Sequence, residues 1–200
     1  VSDAAGNAAT QVTSSSFSVD VTAPTVTSVT STTSDGTYME NDVISIMTIF
    51  SESVTISGTP QLTLETGDSD AVVNYGSGSG SIAILFPYTV ADGHASLDLD
   101  YASTGALALN GGSISDAAGN AATLTLSSPG SSGSLASSKS FVIDGAAPSI
   151  SAVATSAFSW GAYLNATEDN SDGTVSVTTS GVEDGQVVTI TLNGSTYTNT

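Results

Sequence analysis

The sequence has 200 residues, of which 19 are acidic and only one, Lys139, is a Lys or Arg; its formal net charge is −18, and it has no cysteine. This charge excludes nucleic acid and anionic membranes as partners, because both are bound through Lys and Arg. Salt bridges cannot neutralise so many carboxylates, so cations are the expected counter-charges, and oxygen ligands in flexible loops favour Ca²⁺. The longest apolar run, Ile82–Phe86, is too short for membrane insertion.

The chain opens with the motif VSDAAGNAAT at Val1–Thr10, and nine of its ten positions recur at Ile114–Thr123. Each copy is followed by a related segment, which reads FSVDVTAPTVTSV from Phe17 and FVIDGAAPSISAV from Phe141. Self-similarity at such a long period predicts a tandem array of modules, which usually serves as a structure rather than as a catalyst.

Short runs of alternating apolar and polar residues predict β-strands throughout, and no segment has a helical period. Val43–Phe50 is apolar on both faces and predicts a central strand, whereas Gln61–Glu65 offers two leucines to a core. Ile82–Val90 predicts a long strand with one apolar face. Pro87 has the opposite parity in that strand and indicates an edge position or a bulge.

Two further segments follow the second motif copy. Ser127–Ser140 (SSPGSSGSLASSKS) has low complexity and predicts a loop or a flexible excursion. Val187–Leu192 and Ser195–Thr198 predict a β-hairpin, because the Asn193-Gly194 pair between them tolerates the positive φ angles of a two-residue turn.

The repeat sets the expected domain frame. One complete domain runs from the first Ala-Pro pair to the second, over residues 23–147. Residues 1–22 are then the closing strands of a preceding domain, and residues 148–200 are the first part of a following one. The chain is therefore expected to be a segment of a longer all-β protein, which is built from β-sandwich domains arranged end to end.

At the joints, S-D-A-A-G-N and [VI]-D-x-x-A-P-[TS]-[VI] resemble the bacterial immunoglobulin-like repeats of giant cell-surface adhesins, which are RTX-type and biofilm-associated proteins secreted by the type I route. DGTYMENDVISI, FSESVTISGTPQLTLETG and SLDLDYASTGALALNGGSISDAAGN resemble one recurrent module type, and the segment from Trp160 to Thr198 resembles half of another. This resemblance covers essentially the whole chain. It implies immunoglobulin-like β-sandwiches, an extracellular location at the bacterial cell surface, a stalk role, and Ca²⁺ at or near the domain joints.

Both motif copies contain candidate metal ligands. Asp3 and Asp116 are the candidates, with Asn7 and Asn120 in the same turns. The alternative is a loop in which each aspartate caps backbone amides and the glycine supplies a positive φ.

The aspartates that end the closing strands are candidates for a Ca²⁺ shared between consecutive domains, as the resemblance implies. Solvated carboxylates at strand ends are the alternative. The candidate ligands at the first joint are Asp20 with Asp35, Glu40 or Asp42. The candidate ligands at the second joint are Asp144 with Glu168, Asp169 or Asp172.

Asp98 and Asp100 alternate with apolar residues, which predicts two carboxylates on one face of a strand, about 6.5–7 Å apart. The two carboxylates could share a Ca²⁺ or lie on a solvated face, and the sequence does not favour one interpretation over the other. An acid pair for glycoside hydrolysis is disfavoured, because no aromatic platform or basic residue accompanies it.

The chain is predicted not to be an enzyme. The one histidine, His94, follows an Asp-Gly turn, and no serine has the setting of a nucleophile. We therefore expect a stalk segment of an adhesin, stiffened by several Ca²⁺ ions, with the neighbouring domains of its own chain as partners. Two other functions stay open: a subunit of an extracellular filament or sheath that binds other copies through edge strands, and a module that binds cell-surface glycan.

Overall fold

The computed structural model of the chain describes residues 1–10, 18–154, 176–181, 186–192 and 194–199. These residues form strands, turns and loops without a helix, which confirms the predicted all-β class for them. Their several sheets are consistent with a β-sandwich. The strands are, in chain order, β1 (Val26–Ser31), β2 (Gly36–Met39), β3 (Val43–Ser57), β4 (Gln61–Leu64), β5 (Ala71–Asn74), β6 (Ser81–Thr89), β7 (Ala95–Ser96), β8 (Leu107–Ala108), β9 (Ser113–Ser115), β10 (Phe141–Asp144), β11 (Ser149–Ala154), β12 (Ser176–Ser180), β13 (Val188–Leu192) and β14 (Ser195–Asn199).

The long strand β3 is central, as predicted for Val43–Phe50. It lies between β1 and β6, antiparallel to both. Alternate side chains from Ile44 to Phe50 are buried, because successive residues of a strand point to opposite faces. The pairing with β6 shifts register between Ile49 and Val54, and beyond this irregular stretch β3 pairs with β9.

The predicted core faces of β4 and β6 are confirmed with one exception. Both leucines of β4 are fully buried, and so are Ile84, Phe86 and Tyr88 of β6. Ile82, which was expected on the same face, is 49% exposed. It lies opposite the register shift of β3, where the regular pairing of the two strands is interrupted.

Pro87 occupies an edge position, as predicted. Leu85, two residues earlier on β6, exchanges hydrogen bonds with Gly76 and Ser77 on the side away from β3. Because Pro87 has the same parity, its backbone nitrogen also points to this outer side, where it has no hydrogen to donate. This proline therefore opposes the addition of a foreign strand at this edge.

Two further sheets close the body around one core, whereas among the described residues β11 pairs only with β12, and β13 only with β14. In a second sheet, β10 pairs in parallel with β2 and antiparallel with β7, and in a third, β4 lies between β5 and β8. The buried core residues range from Val29 to Ile143. The predicted hairpin near the end of the chain is confirmed, with β13 antiparallel to β14 and Leu192 opposite Ser195.

The serine-rich segment Ser127–Ser140 is a loop, as predicted, but it is a packed one. Its Ser134 and Leu135 are fully buried. The carbonyl of Gly133 accepts the backbone N–H of Val29 in β1 at 2.9 Å. The loop therefore covers the outer edge of β1 and is not a free excursion.

The predicted strand through Asp98 and Asp100 is wrong. The chain bends at residues 97–98, which leaves Asp98 exposed and Asp100 only 7% exposed. The Asp100 carboxylate accepts backbone N–H groups from Tyr101 (2.9 Å), Gly130 (2.9 Å) and Leu135 (3.2 Å). It turns inward because the serine-rich loop offers two of these donors, so the two carboxylates do not share a face.

Candidate metal site at the domain entrance

The two copies of the repeated motif form the same loop. In each copy the first aspartate oxygen accepts the backbone N–H of the asparagine, at 2.9 Å between Asp3 and Asn7 and at 2.8 Å between Asp116 and Asn120. The second oxygen accepts the side-chain amide of the same asparagine, at 2.8 and 2.7 Å. The capping interpretation of these aspartates is thus confirmed; it leaves lone pairs on both oxygens for a cation.

The glycine of the motif is needed for the loop to close. Gly6 has a φ of 87° and Gly119 a φ of 94°, a region that side chains other than glycine rarely adopt. The two loops differ in their surroundings. The first copy is exposed throughout, whereas Asp116 of the second copy is only 5% exposed.

The segment that enters the domain runs beside the second loop. The side-chain amide of Asn120 donates to the carbonyl of Asp20 at 3.2 Å. The backbone N–H of Thr123 donates to the carbonyl of Pro24 at 2.8 Å, and Thr25 forms a parallel bridge with Thr123. Pro24 itself is buried. The incoming segment is therefore anchored along residues 120–123.

This arrangement brings three carboxylates together. Asp20, Glu52 and Asp116 each offer one oxygen, and these three oxygens lie within 4.8 Å of one another. Glu52 lies in the irregular stretch of β3, and Asp116 follows β9 directly, so the pairing of β3 with β9 places both residues on the body of the domain. Asp20 belongs to the incoming segment.

The charges of this triad oppose one another. Burial raises the pKa of Glu52 above its ordinary value, and the negative charges of Asp20 and Asp116 raise it further. The side-chain hydrogen bond from Asn120 holds the pKa of Asp116 below its usual range, against the effect of burial. The single lysine of the sequence lies elsewhere, where it donates to the carbonyl of Thr33. Protonation of Glu52 or a bound cation would reduce this repulsion, and the three oxygens are close enough together to hold a cation.

The partners of Asp20 differ from those predicted. Glu40 and Asp42 lie near the start of β3, whereas Glu52 lies near its far end. These two positions are about 30 Å apart along an extended strand, so Glu40 and Asp42 cannot join Asp20 beside Glu52. Asp35 lies 3.9 Å from the amine of the only lysine. The sequence indicated that Asp20 lies at a joint, but only the course of β3 shows which end of the domain it meets.

The second joint is described in part. Asp144 and Glu40 line one cavity together with Gly145 and the residues up to Pro148, and Asp144 accepts the backbone N–H of Ala146 at 3.3 Å. The other predicted ligands of this joint, Glu168, Asp169 and Asp172, lie outside the described residues. Trp160, at the start of the segment that resembles another module type, also lies outside them. A metal site there stays a prediction.

Glu52 was missed by the sequence analysis. Its signal is weak but physical: it is the only charged residue of β3, within FSESV. A carboxylate in a central strand is costly to bury unless it has a partner. Such a residue therefore indicates a bulge or a ligand site.

We expect Glu52→Gln to raise the melting temperature at pH 7 in the presence of a chelator. Because the pKa of Glu52 is raised in the folded protein, its ionisation destabilises the fold as the pH rises through that value. The gain should disappear below its ordinary pKa of 4.5, where the carboxyl is protonated in both states. Thermal unfolding at several pH values measures this, with Glu40→Gln as the control. A lower melting temperature for Glu52→Gln at pH 7 would contradict it.

The site must be interpreted from its own geometry. Within the described ranges, no helix is long and apolar enough to cross a membrane. No protein-family model matches the sequence, and the chain matches neither a curated protein nor a solved structure.

Proposed function

We propose that this chain is a stalk segment of a large bacterial cell-surface adhesin, in which Ca²⁺ stiffens the joint between two immunoglobulin-like domains. The observation that carries the proposal is the origin of the three carboxylates: Asp20 comes from the incoming segment, and Glu52 and Asp116 come from the domain body. The repeated motif, the charge of −18 and the resemblance to adhesin repeats support it.

The donor set favours Ca²⁺ over other cations. Ca²⁺ takes six to eight oxygens at variable geometry, and three carboxylates supply between three and six of them, with carbonyls and water completing the shell. Zinc and copper sites normally include nitrogen or sulfur ligands. Mg²⁺ demands a near-ideal octahedron, which an exposed segment outside any strand is poorly suited to impose.

The ion would act on the direction of the chain before Asp20. Pro24 is already fixed by its burial and by Thr123. What remains free is rotation at Asp20 and in the exposed residues Ser18 and Val19 before it. An ion bound to the Asp20 carboxylate fixes its side chain relative to the domain body, and with it the direction in which the chain enters at Asp20. Without the ion, the three carboxylates repel one another.

Calcium should stabilise the full chain measurably. Extracellular Ca²⁺ modules have dissociation constants of about 10⁻⁴–10⁻³ M, so 10 mM Ca²⁺ should add about 1.4–2.7 kcal/mol to the free energy of unfolding. Isothermal titration and thermal unfolding with and without chelator measure the affinity and the stabilisation.

Variants assign the effect to this site. Glu52→Gln and Asp116→Asn should each remove most of the stabilisation by Ca²⁺. Asp98→Asn removes the same charge from an exposed bend and should leave it intact. An equal response to Ca²⁺ in Glu52→Gln and in the unaltered chain would reject this site.

A further inference from the structure

We infer that the D-A-A-G-N loop is a receptor for the segment that enters its own domain, and that its asparagine holds this segment without a metal ion. The inference rests on the proposed function, since it concerns the same joint, but it assigns a second and independent contact. It also gives the repeated motif a partner of defined chemistry: an extended main chain that ends in Ala-Pro.

The side-chain amide of Asn120 makes two contacts. It donates to the second oxygen of Asp116 at 2.7 Å and to the main-chain carbonyl of Asp20 at 3.2 Å. An amide nitrogen carries two protons, so both donors are used. One bond holds the side chain in place within the loop, and the other reaches the incoming segment. Aspartate at position 120 could make neither bond when ionised, because it has only acceptors.

A backbone contact completes the receptor. The N–H of Thr123 donates to the carbonyl of Pro24 at 2.8 Å. Thr123 follows Asn120 by three residues in the loop, and Pro24 follows Asp20 by four residues in the incoming segment. The two segments run in parallel here, as the bridge between Thr25 and Thr123 shows. Both carbonyls that are held belong to the main chain, so the receptor recognises the backbone of the segment and its buried proline, and it needs neither a carboxylate of that segment nor an ion.

The first motif copy is organised in the same way. Asn7 makes the same two bonds to Asp3, which leave one amide proton to donate, and the loop is exposed. Asn7 is therefore arranged to hold a segment like the one that Asn120 holds. In such a segment, the residue four positions before a proline presents its main-chain carbonyl to the asparagine. Asp20 with Pro24 and Asp144 with Pro148 have this spacing. The motif thus recurs because each domain needs its own receptor.

Backbone order of the incoming segment tests the inference in the full chain with chelator present. ¹⁵N relaxation should give Val21 and Thr22 order parameters near the rigid value of about 0.85 in the unaltered chain, falling below about 0.6 in Asn120→Ala. The matched control is Asn110→Ala, because the Asn110 amide donates to the carbonyl of Thr59 at the same 3.2 Å but lies away from the segment. Its Val21 and Thr22 should stay rigid.

A second measurement does not depend on a variant. In the unaltered chain with chelator, the Asn120 side-chain amide should show a scalar coupling to the Asp20 carbonyl across their hydrogen bond. Absence of this coupling, or unchanged order of Val21 in Asn120→Ala, would overturn the inference whatever Ca²⁺ does. A rigid segment in chelator with no response to Ca²⁺ would overturn the proposed function and leave the receptor standing.

Discussion

Replacing Asp100 by alanine is expected to lower the free energy of unfolding by about 3–5 kcal/mol, because two buried backbone donors and a partly buried one then lose their acceptor. The carboxylate accepts N–H groups from Tyr101, Gly130 and Leu135, two of which lie in the serine-rich loop. That loop covers β1 through the bond from Val29 to Gly133. Losing Asp100 therefore exposes an edge of the central sheet as well as three unpaired donors.

Urea unfolding measures this loss. Asp98→Ala is the matched control, because Asp98 is exposed two residues away and a substitution there should change stability by less than about 0.5 kcal/mol. Asp100→Asn should fall between the two, since its amide keeps one acceptor oxygen but places an N–H group against another donor. Equal stabilities for the alanine variants at positions 98 and 100 would show that the serine-rich loop is held by other contacts.

Gly112→Ala is expected to cost about 3 kcal/mol, because a Cβ atom at this position would overlap the carbonyl oxygen of Ser57 and lie 3.1 Å from that of Leu109. These are backbone atoms, which cannot rotate away as a side chain would. Gly112 directly precedes β9, whose Ser113 pairs with Ser57 at the end of β3. The overlap should therefore force the two strands apart.

The same substitution should weaken the response to Ca²⁺. The pairing of β3 with β9 brings Glu52 and Asp116 together, so separated strands would move the two carboxylates apart. Gly105→Ala is the control, because its Cβ would meet nothing closer than 3.9 Å. Chemical unfolding and calcium titration of both variants measure the two effects. A Gly112→Ala variant as stable as the control would contradict the close approach of these strands.

Local pattern was sufficient to predict five of the fourteen strands that the structure describes, namely β3, β4, β6, β13 and β14. The apolar run Val43–Phe50, the alternation in Ile82–Val90 and the pairing of β13 with β14 each follow from neighbouring residues, and the structure confirms them except at the exposed Ile82. Asp100 shows where local pattern fails. Its alternation with Leu99 and Tyr101 resembles a strand, but its conformation is set by donors about thirty residues later in the chain.

The candidate site could be predicted only in part, for the same reason. Asp20 and Asp116 stand out in the sequence because they belong to repeated segments. Their meeting with Glu52 depends on the register shift in β3 and on its pairing with β9, which joins residues about sixty positions apart. No spacing within a single segment encodes that contact.

The repeated aspartate is shown to cap its own loop, and the proposal adds a second use for it. Asp3 and Asp116 accept the same hydrogen bonds from Asn7 and Asn120, so capping alone explains why the motif folds alike in both places. Capping alone does not explain why Asp116 lies against Asp20 and Glu52, three like charges without a basic partner. A cation shared between the incoming segment and the domain body explains that arrangement.

The most direct test of this joint is a distance distribution between spin labels at its two sides. The chain has no cysteine, so Ser18→Cys and Ser69→Cys place one label before Asp20 and one on the domain body. Both positions are exposed. We predict a narrow distribution in Ca²⁺ and a broad one with chelator, and a broad one in both conditions when Glu52→Gln is added. Equal widths with and without Ca²⁺ in the otherwise unaltered chain would contradict a calcium-stiffened joint.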